Sequence, residues 1–257
     1  MTGGMIPILT FHSISDEDGP TSIPHSVFAM QMREIAQTGV EVIALDKVLA
    51  FMKGEWSPEK PSLAITFDDA FQDFADNAHS VLGCHSYPSC VFAPTQKLGG
   101  AEDWHGGNEK ARKLMDWNTI EELSRNGVTI GSHSMSHHDL TMLDDDALAE
   151  DLAMSRKTLE DKLGKPVPFF APPYGKSDER VRRAIAKQYD LSVGVRLARA
   201  SRNSPLFDLP RVEMHYFRDA RVWRRFLQGR GETYFRARQA ARRIRGAAMN
   251  LLQPGKA

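Results

Sequence analysis

The sequence predicts an α/β chain folded as a parallel (β/α) barrel of about seven strands, followed by a basic helical extension. Short β-rich runs alternate with stretches of helical periodicity over most of the 257 residues, and about seven such units favour a closed sheet over an open one. Strands separated by helices imply right-handed crossovers and a sheet covered on both faces. The residues following the apolar runs are polar, and the C-terminal strand ends are where such barrels hold their chemistry.

Taken in order, Ile6 to Phe11 reads as the first strand, Ser26 to Thr38 as a helix ended by Gly39, and Val40 to Ala44 as a short strand. Asp46 to Lys53 is helical, Ser62 to Phe67 a strand, Phe71 to Leu82 a helix and Pro88 to Ala93 a strand. A polar loop with Gly99, Gly100, Gly106 and Gly107 leads to a helix at Trp117 to Arg125 and a strand at Val128 to Gly131. Asp144 to Leu163 is a long helix, Val167 to Phe170 a strand, Asp178 to Gln188 a helix and Leu191 to Val195 a strand. No repeat or low-complexity linker interrupts the series.

Composition excludes several classes. With 41% hydrophobic and 26% charged residues, 14 Pro and 19 Gly, the chain is neither disordered, collagen-like nor a coiled coil. Lys+Arg 33 balances Asp+Glu 33, which argues against a domain held on nucleic acid by phosphate contacts. Cys84 and Cys90 fit no metal pattern and no disulfide framework, and read as reduced, partly buried thiols. The apolar run Ile6 to Phe11 is far short of a signal-peptide core or of the roughly 20 residues of a membrane span, so the expectation is a cytoplasmic protein or one peripheral to the inner membrane.

Three segments carry chemistry. Ile65 to Phe71 (ITFDDAF) sets two adjacent carboxylates after a buried strand; capping the next helix accounts for one of them, not both. Ile130 to Leu140 (IGSHSMSHHDL) places His133 and His137 four apart, the spacing that puts two imidazoles on one face of a helical turn. Two histidines and one aspartate leave a position for water, as catalytic divalent sites do; a surface coincidence of histidines is the alternative, and His138 is a poor third ligand. Phe169 to Gly175 (FFAPPYG) fixes its backbone with two prolines and a glycine, which suits a main-chain oxyanion donor as well as an ordinary strand-ending turn.

In this order and spacing, TFDDA, HSMSH and APPYG resemble the TFDDG, H-S/T-x-x-H and R-x-P-Y-G motifs of the polysaccharide deacetylase family, the NodB-homology or carbohydrate esterase family 4 domain. The resemblance extends from ILTFHSI to LPRVEM, roughly residues 5–217, and is greatest to bacterial exopolysaccharide deacetylases of the poly-N-acetylglucosamine type. It implies a distorted barrel with Asp68 as general base and Asp69, His133 and His137 holding one divalent ion, most simply zinc, with cobalt, nickel or manganese as substitutes. It also implies hydrolysis of N-acetyl groups on an amino-sugar glycan, or of O-acetyl esters, by metal-activated water, with the Tyr174 N–H at the oxyanion.

Three departures bear on that transfer. Ala70 stands in place of the usual Gly, restricting the turn. Ala171 stands where many members carry an arginine that orients the base, and Arg211 is the hypothesis for the charge that replaces it. The late L-x-H element, source of the general acid, is matched only by Val212 to His215, which makes His215 the candidate acid against a solvent-facing histidine. His12, at the first strand end, and Trp104, in the long loop, join Arg211 as candidate substrate contacts; a loop-anchoring Trp104 is the alternative. An amidase or deformylase on a small or lipid-linked substrate, and an inactive glycan-binding domain, are the competing functions.

From Arg218 to Arg245 ten arginines face only Asp219 and Glu232, a local balance of +8 that leaves −8 elsewhere. Residues 218–257 therefore read as a tail apart from the catalytic domain, with an apolar stripe of Tyr234, Ala237, Ala241, Ile244, Ala248 and Leu251 along one helix. That stripe packs on the barrel or, with the arginines on anionic headgroups, lies on a membrane surface.

Overall fold

The computed structural model describes residues 4–104 and 111–252; Gly106, Gly107, the side chains of 243 and 245–252, and residues 253–257 of the tail lie outside this description. The strands are β1 (Met5–Ile6), β2 (Ile8–Phe11), β3 (Glu41–Val42), β4 (Ser62–Phe67), β5 (Cys90–Ala93), β6 (Thr129–Ser132), β7 (Phe169–Phe170), β8 (Leu191–Leu197), β9 (Ala200–Ser201) and β10 (Leu209–Glu213). Parallel pairing runs from β2 through β4, β5, β6, β7, β8 and β10, and β10 pairs back to β2, closing a seven-stranded barrel. β3 takes the first half of one edge of β4 and β5 the second, while β1 and β9 form a small antiparallel ribbon outside. Every residue of β2, β4 and β5 is buried, as strands covered on both faces require, and their continuous apolar runs supply that burial.

The helices are α1 (His25–Thr38), α2 (Leu45–Lys53), α3 (His79–Cys84), α4 (Trp117–Arg125), α5 (Asp145–Leu163), α6 (Glu179–Ile185), α7 (Ala220–Leu227) and α8 (Glu232–Leu252). Asp116, Asp144, Asp178 and Asp219 cap α4, α5, α6 and α7 by accepting from backbone N–H groups of the first turns. The helix expected from Phe71 starts late, as a π-turn at Phe74–Ala78 leading into α3. Phe71 to Asp73 are committed elsewhere: Phe71 pairs with Leu114, Gln72 N donates to Lys113 O, and the Asp73 carboxylate accepts from Ser13 Oγ and Ile14 N. β7 is shorter than expected because Val167 N donates to the Glu160 side chain and Pro168 has no N–H for a ladder.

The C-terminal segment continues the core. Trp223, Phe226, Leu227 and Phe235 belong to the same buried cluster as Leu9, Phe11, Phe28 and Phe67. Trp223 Nε1 donates to Gln31 O, Gln31 Nε2 donates to Met214 O and Phe217 O, and Arg224 pairs with both oxygens of Glu34 at 2.6 Å. α8 docks through Tyr234, Phe235 and Gln239, whose Nε2 donates to Leu197 O at 2.9 Å. Of the expected stripe, Tyr234 docks, but among the other described side chains Ala237 and Ala241 are exposed and Ile244 is 70% exposed. Burying the Phe235 ring removes more apolar area from water than Ala237 and Ala241 would, and Gln239 is satisfied by its bond to Leu197 O. Among the described residues no helix is long and apolar enough to cross a membrane.

Trp223→Ala should remove both the ring and its hydrogen bond to α1, costing about 3–5 kcal/mol of unfolding free energy in urea denaturation.

Candidate active site

The polar residues after β2, β4, β6, β7 and β10 meet at one end of the barrel. They line a cleft of about 760 Å³ that contains His12, Asp68, Asp69, His133, His137, Trp104, Tyr174 and His215. Asp68 continues β4, its N–H donating to Phe11 O, and the chain then turns through two left-handed residues, Asp69 (φ 72) and Ala70 (φ 56). That turn sends adjacent carboxylates to different partners. Ala70 is buried in a conformation that glycine adopts more readily, so the substitution adds strain to the turn as well as restricting it.

Asp69 Oδ1 lies 3.2 Å from His133 Nε2 and 3.1 Å from His137 Nε2. The two imidazoles do not converge by helical spacing. Ser134 (φ 68) and His137 (φ 61) are left-handed, Ser134 Oγ accepts from His137 N, and the Asp151 carboxylate of α5 accepts from Met135 N. A pinned loop therefore does what a helical turn was expected to do. His133 Nδ1 lies 2.6 Å from Ala171 O; a carbonyl only accepts, so this nitrogen carries the proton and, in the neutral ring, Nε2 turns a lone pair toward the carboxylate.

Such a contact between acceptors needs positive charge between them. A proton serves one contact, whereas a divalent ion serves three ligand atoms that lie within 4.8 Å of one another. Ligand atoms about 2.0–2.2 Å from a tetrahedral ion stand roughly 3.3–3.5 Å apart, close to the spacings here. Asp69, His133 and His137, all buried, thus fit a divalent metal. Where protons rather than an ion fill these contacts, burial disfavours the Asp69 anion but hydrogen bonds from both imidazoles hold it well below the usual carboxylate range. Burial depresses His137 and leaves it below the ordinary imidazole value, whereas at His133 the hydrogen bond to Asp69 outweighs burial and raises it.

Asp68 meets Arg211. Arg211 Nη1 donates to Asp68 Oδ1 at 2.7 Å and Nη2 to Oδ2 at 2.6 Å, while Nε donates to Gly194 O and Nη1 also reaches Thr66 Oγ1. Arg211 is only 1% exposed, so its side chain is spent on Asp68 and not on the open cleft. Burial would raise Asp68, but the Arg211 charge and hydrogen bonds hold it below the usual range, keeping the carboxylate ionised. The register of β10 against β8 shifts between Leu209 and Arg211, at Pro210, which cannot donate to a ladder.

The remaining candidates surround these groups. His12 Nε2 is 3.8 Å from Asp68 Oδ2. The Trp104 ring stacks on His137 at 3.9 Å and 24°, and the Tyr174 ring meets His137 edge-on at 4.7 Å. Tyr174 (φ 58) sits in a turn closed by Gly175 N to Pro172 O and Lys176 N to Pro173 O; a Cβ on Gly175 would come within 2.2 Å of Val195. His215 lines the cleft beside Tyr216, lowered mainly by burial. Sequence reasoning missed the opposite wall, formed by Tyr234, Arg238 and Arg242 of α8; their four-residue spacing was the available signal, hidden among other arginines. It also missed Asp151, whose carboxyl burial pushes up to about 6.

Because Asp151 is raised from 3.8 to about 6, its contribution favours the fold while it is protonated and is lost as pH rises through about 6. Asp151→Asn, which keeps an acceptor for Met135 N–H, should therefore gain up to about 3 kcal/mol relative to the parent between pH 4 and pH 7, read by urea denaturation at each pH. Arg211→Gln should cost about 3–5 kcal/mol by stranding the buried Asp68 anion, and adding Asp68→Asn should recover much of that loss in a double-mutant cycle.

The polysaccharide deacetylase family model matches residues 56–194, which span Asp68 through Tyr174. YxkH of Bacillus subtilis, a protein assigned to the polysaccharide deacetylases, is 24% identical over 210 residues, covering 81% of this chain and 71% of that protein. The poly-beta-1,6-N-acetyl-D-glucosamine N-deacetylase of Staphylococcus aureus is 24% identical over 214 residues, covering 79% and 71%. Among solved structures, the deacetylase PplD of Streptococcus pyogenes in complex with acetate superposes with a TM-score of 0.72 at 21% identity, covering 82% of this chain and 92% of that one. IcaB of Ammonifex degensii gives 0.71 at 22%, covering 89% and 98%, so the fold is shared nearly end to end. A family match over more than half the chain, carrying Asp68, Asp69, His133 and His137, makes this chain a member of the polysaccharide deacetylase family, hydrolases that act on amides.

Proposed function

We propose that this protein removes N-acetyl groups from an amino-sugar glycan, an exopolysaccharide or cell-envelope polymer or its oligosaccharides, releasing acetate and a free amine. The observation that carries the reading is the division of labour between adjacent carboxylates: Asp69 with two imidazoles, Asp68 ionised on Arg211. Asp69, His133 and His137 would hold a divalent ion, with zinc the best match to two nitrogens and one oxygen and cobalt, nickel or manganese able to replace it. When bound, the ion supplies a Lewis acid for the acetyl carbonyl and lowers the pKa of water beside it.

The protein's own groups do the rest. Asp68 takes the proton of the attacking water on a carboxylate oxygen, Oδ2 being the one that faces His12. Arg211 is a positioning residue, fixing both oxygens of that base. The Tyr174 N–H, held by the left-handed turn, donates to the oxyanion that forms as water adds to the acetyl carbon. His215 would donate to the amine nitrogen as the C–N bond breaks, using the proton that Asp68 takes from the water once it reaches the ring; burial lowers its pKa, which makes the protonated ring a stronger acid. His12 and Trp104 line the space in which the sugar sits. Likeness to a poly-N-acetylglucosamine deacetylase supports this substrate class.

Acetate release tests the reading. Metal-loaded protein should release acetate from N-acetylglucosamine oligomers, β-1,4 or β-1,6 linked; release from acetylated xylan alone would make it an O-acetyl esterase, release only from small or lipid-linked amides an amidase, and no release a glycan-binding domain. Asp68→Asn should lower kcat by about 100-fold or more with metal content unchanged, whereas His137→Ala should lose metal and activity together.

A further inference from the structure

The cleft is asymmetric in charge. On the barrel side Asp68 and Asp69 are engaged, one by Arg211 and the other by two imidazoles. On the opposite wall Tyr234, Arg238 and Arg242 follow one another at four-residue intervals on one face of α8, and Arg218 stands beside them. Among the described residues none of these three arginines forms an ion pair with a carboxylate, unlike Arg199, Arg211 and Arg224. Arg238 is held in place all the same: its Nε donates to Tyr234 Oη at 3.0 Å, and its guanidinium lies over the rings of Tyr216 and Tyr234 at 5.3 and 5.2 Å. The carboxylates on this wall are Glu213 and Asp219, and Asp219 Oδ1 already accepts from Arg221 N and Val222 N at the start of α7.

A second cavity of about 680 Å³ adjoins the first, sharing Gly175, Val195 and Arg242 with it and adding Arg196 and one carboxylate, Asp208. Arg242 therefore stands where the two spaces meet, and the groove offers room beyond the sugar at Asp68. A neutral glycan would leave the exposed Arg238 and the half-exposed Arg242 to water, with no carboxylate among the described residues paired to either. A planar guanidinium fork matches an oxyanion, phosphoryl or carboxylate, in bidentate fashion.

We propose that the α8 wall is an anion subsite: the glycan carries a phosphoryl or carboxylate group on a sugar neighbouring the one deacetylated, and Arg238 and Arg242 hold it. This rests on the deacetylase reading and adds to it the acidic character of the substrate. The arginines reach the cleft from the docked half of α8, where Gln239 bonds Leu197 O, which favours a ligand inside the groove over a membrane lying on the helix.

The test compares N-acetylated oligosaccharides that differ only in the neighbouring residue: neutral, phosphorylated, or oxidised to a uronic acid. With the full metal-loaded chain at low salt, kcat/KM for an acidic form should exceed the neutral one by about tenfold, the advantage shrinking as salt rises. The pair Arg238→Gln and Arg242→Gln should bring that ratio to within about twofold of unity, and the charge-keeping pair Arg238→Lys and Arg242→Lys should retain most of it. A preference for only one acidic form identifies the group recognised. Calorimetry of the same compounds on metal-free protein reads the subsite without turnover. Tighter binding of the acidic forms, lost in the glutamine pair, keeps the subsite even if no compound is deacetylated, an outcome that would sink the reaction assigned above. Equal binding and equal kcat/KM for neutral and acidic forms, or a ratio that neither pair moves, overturns the proposal. So does loss of co-sedimentation with phosphatidylglycerol vesicles in the glutamine pair with the ratio unchanged, which would assign the arginines to a membrane surface.

Discussion

A guanidinium sealed inside a barrel is tolerable only if its charge and donors are met, and Arg211, on β10, meets them on β8 and β4. Its Nε reaches Gly194 O on β8, its Nη atoms reach Thr66 on β4 and Asp68 just beyond that strand, and Thr66 Oγ1 in turn donates to Leu9 O on β2. Such a pair is weak evidence of net stability, since hydrophobic replacements often do as well. Its consequence here is directional. With both oxygens of Asp68 taken up by Arg211, the carboxylate cannot swing toward the Asp69 cluster, and the adjacent anions remain separate groups with separate tasks.

Keeping them separate distorts the backbone. Of the six non-glycine residues with positive φ among the described residues, five lie in the cleft's loops: Asp69, Ala70, Ser134, His137 and Tyr174. Each left-handed residue costs roughly 1–2 kcal/mol, and the cost is offset locally. Met115 N donates to Ala70 O, Ser134 Oγ caps His137 N, and Asp151 receives Met135 N. Strain gathered where ligand atoms must converge is the pattern of a preorganised site rather than of a loose loop.

These features were unequally legible in the sequence. The strands and the residues at their ends follow from local composition: SLAITF is an apolar run that can only be covered, and the charges after it have to be met. Arg211 was reached differently, as the charge to replace the arginine absent at Ala171, and it lies within β10. The convergence of His133 and His137 was read from the right spacing and the wrong geometry, because helical periodicity and a pinned left-handed loop both bring i and i+4 together. The docking face of α8 was not legible at all. Alanines and arginines alternate there with little contrast, and Phe235 and Gln239 were selected by the surfaces of β8 and of the turn after β10, which local sequence does not display.

The charge asymmetry of the chain takes on a different meaning once α8 is seated. A segment of +8 after a body of −8 looks like an appendage in the sequence, yet Arg224 closes on Glu34 of α1, Arg199 reaches forward to Glu232 of α8, and Arg218, Arg238 and Arg242 turn to the cleft. The family match ends at residue 194, after the two carboxylates, the two imidazoles and the Tyr174 turn. Arg211, His215 and the basic wall all come later in the chain and fold back over those groups. The residues that would hold the metal and those of the proposed anion subsite are therefore contributed by successive stretches of the chain. Closure of β10 onto β2 brings them to the same opening, so α8 can vary in charge without disturbing the ligands at the strand ends.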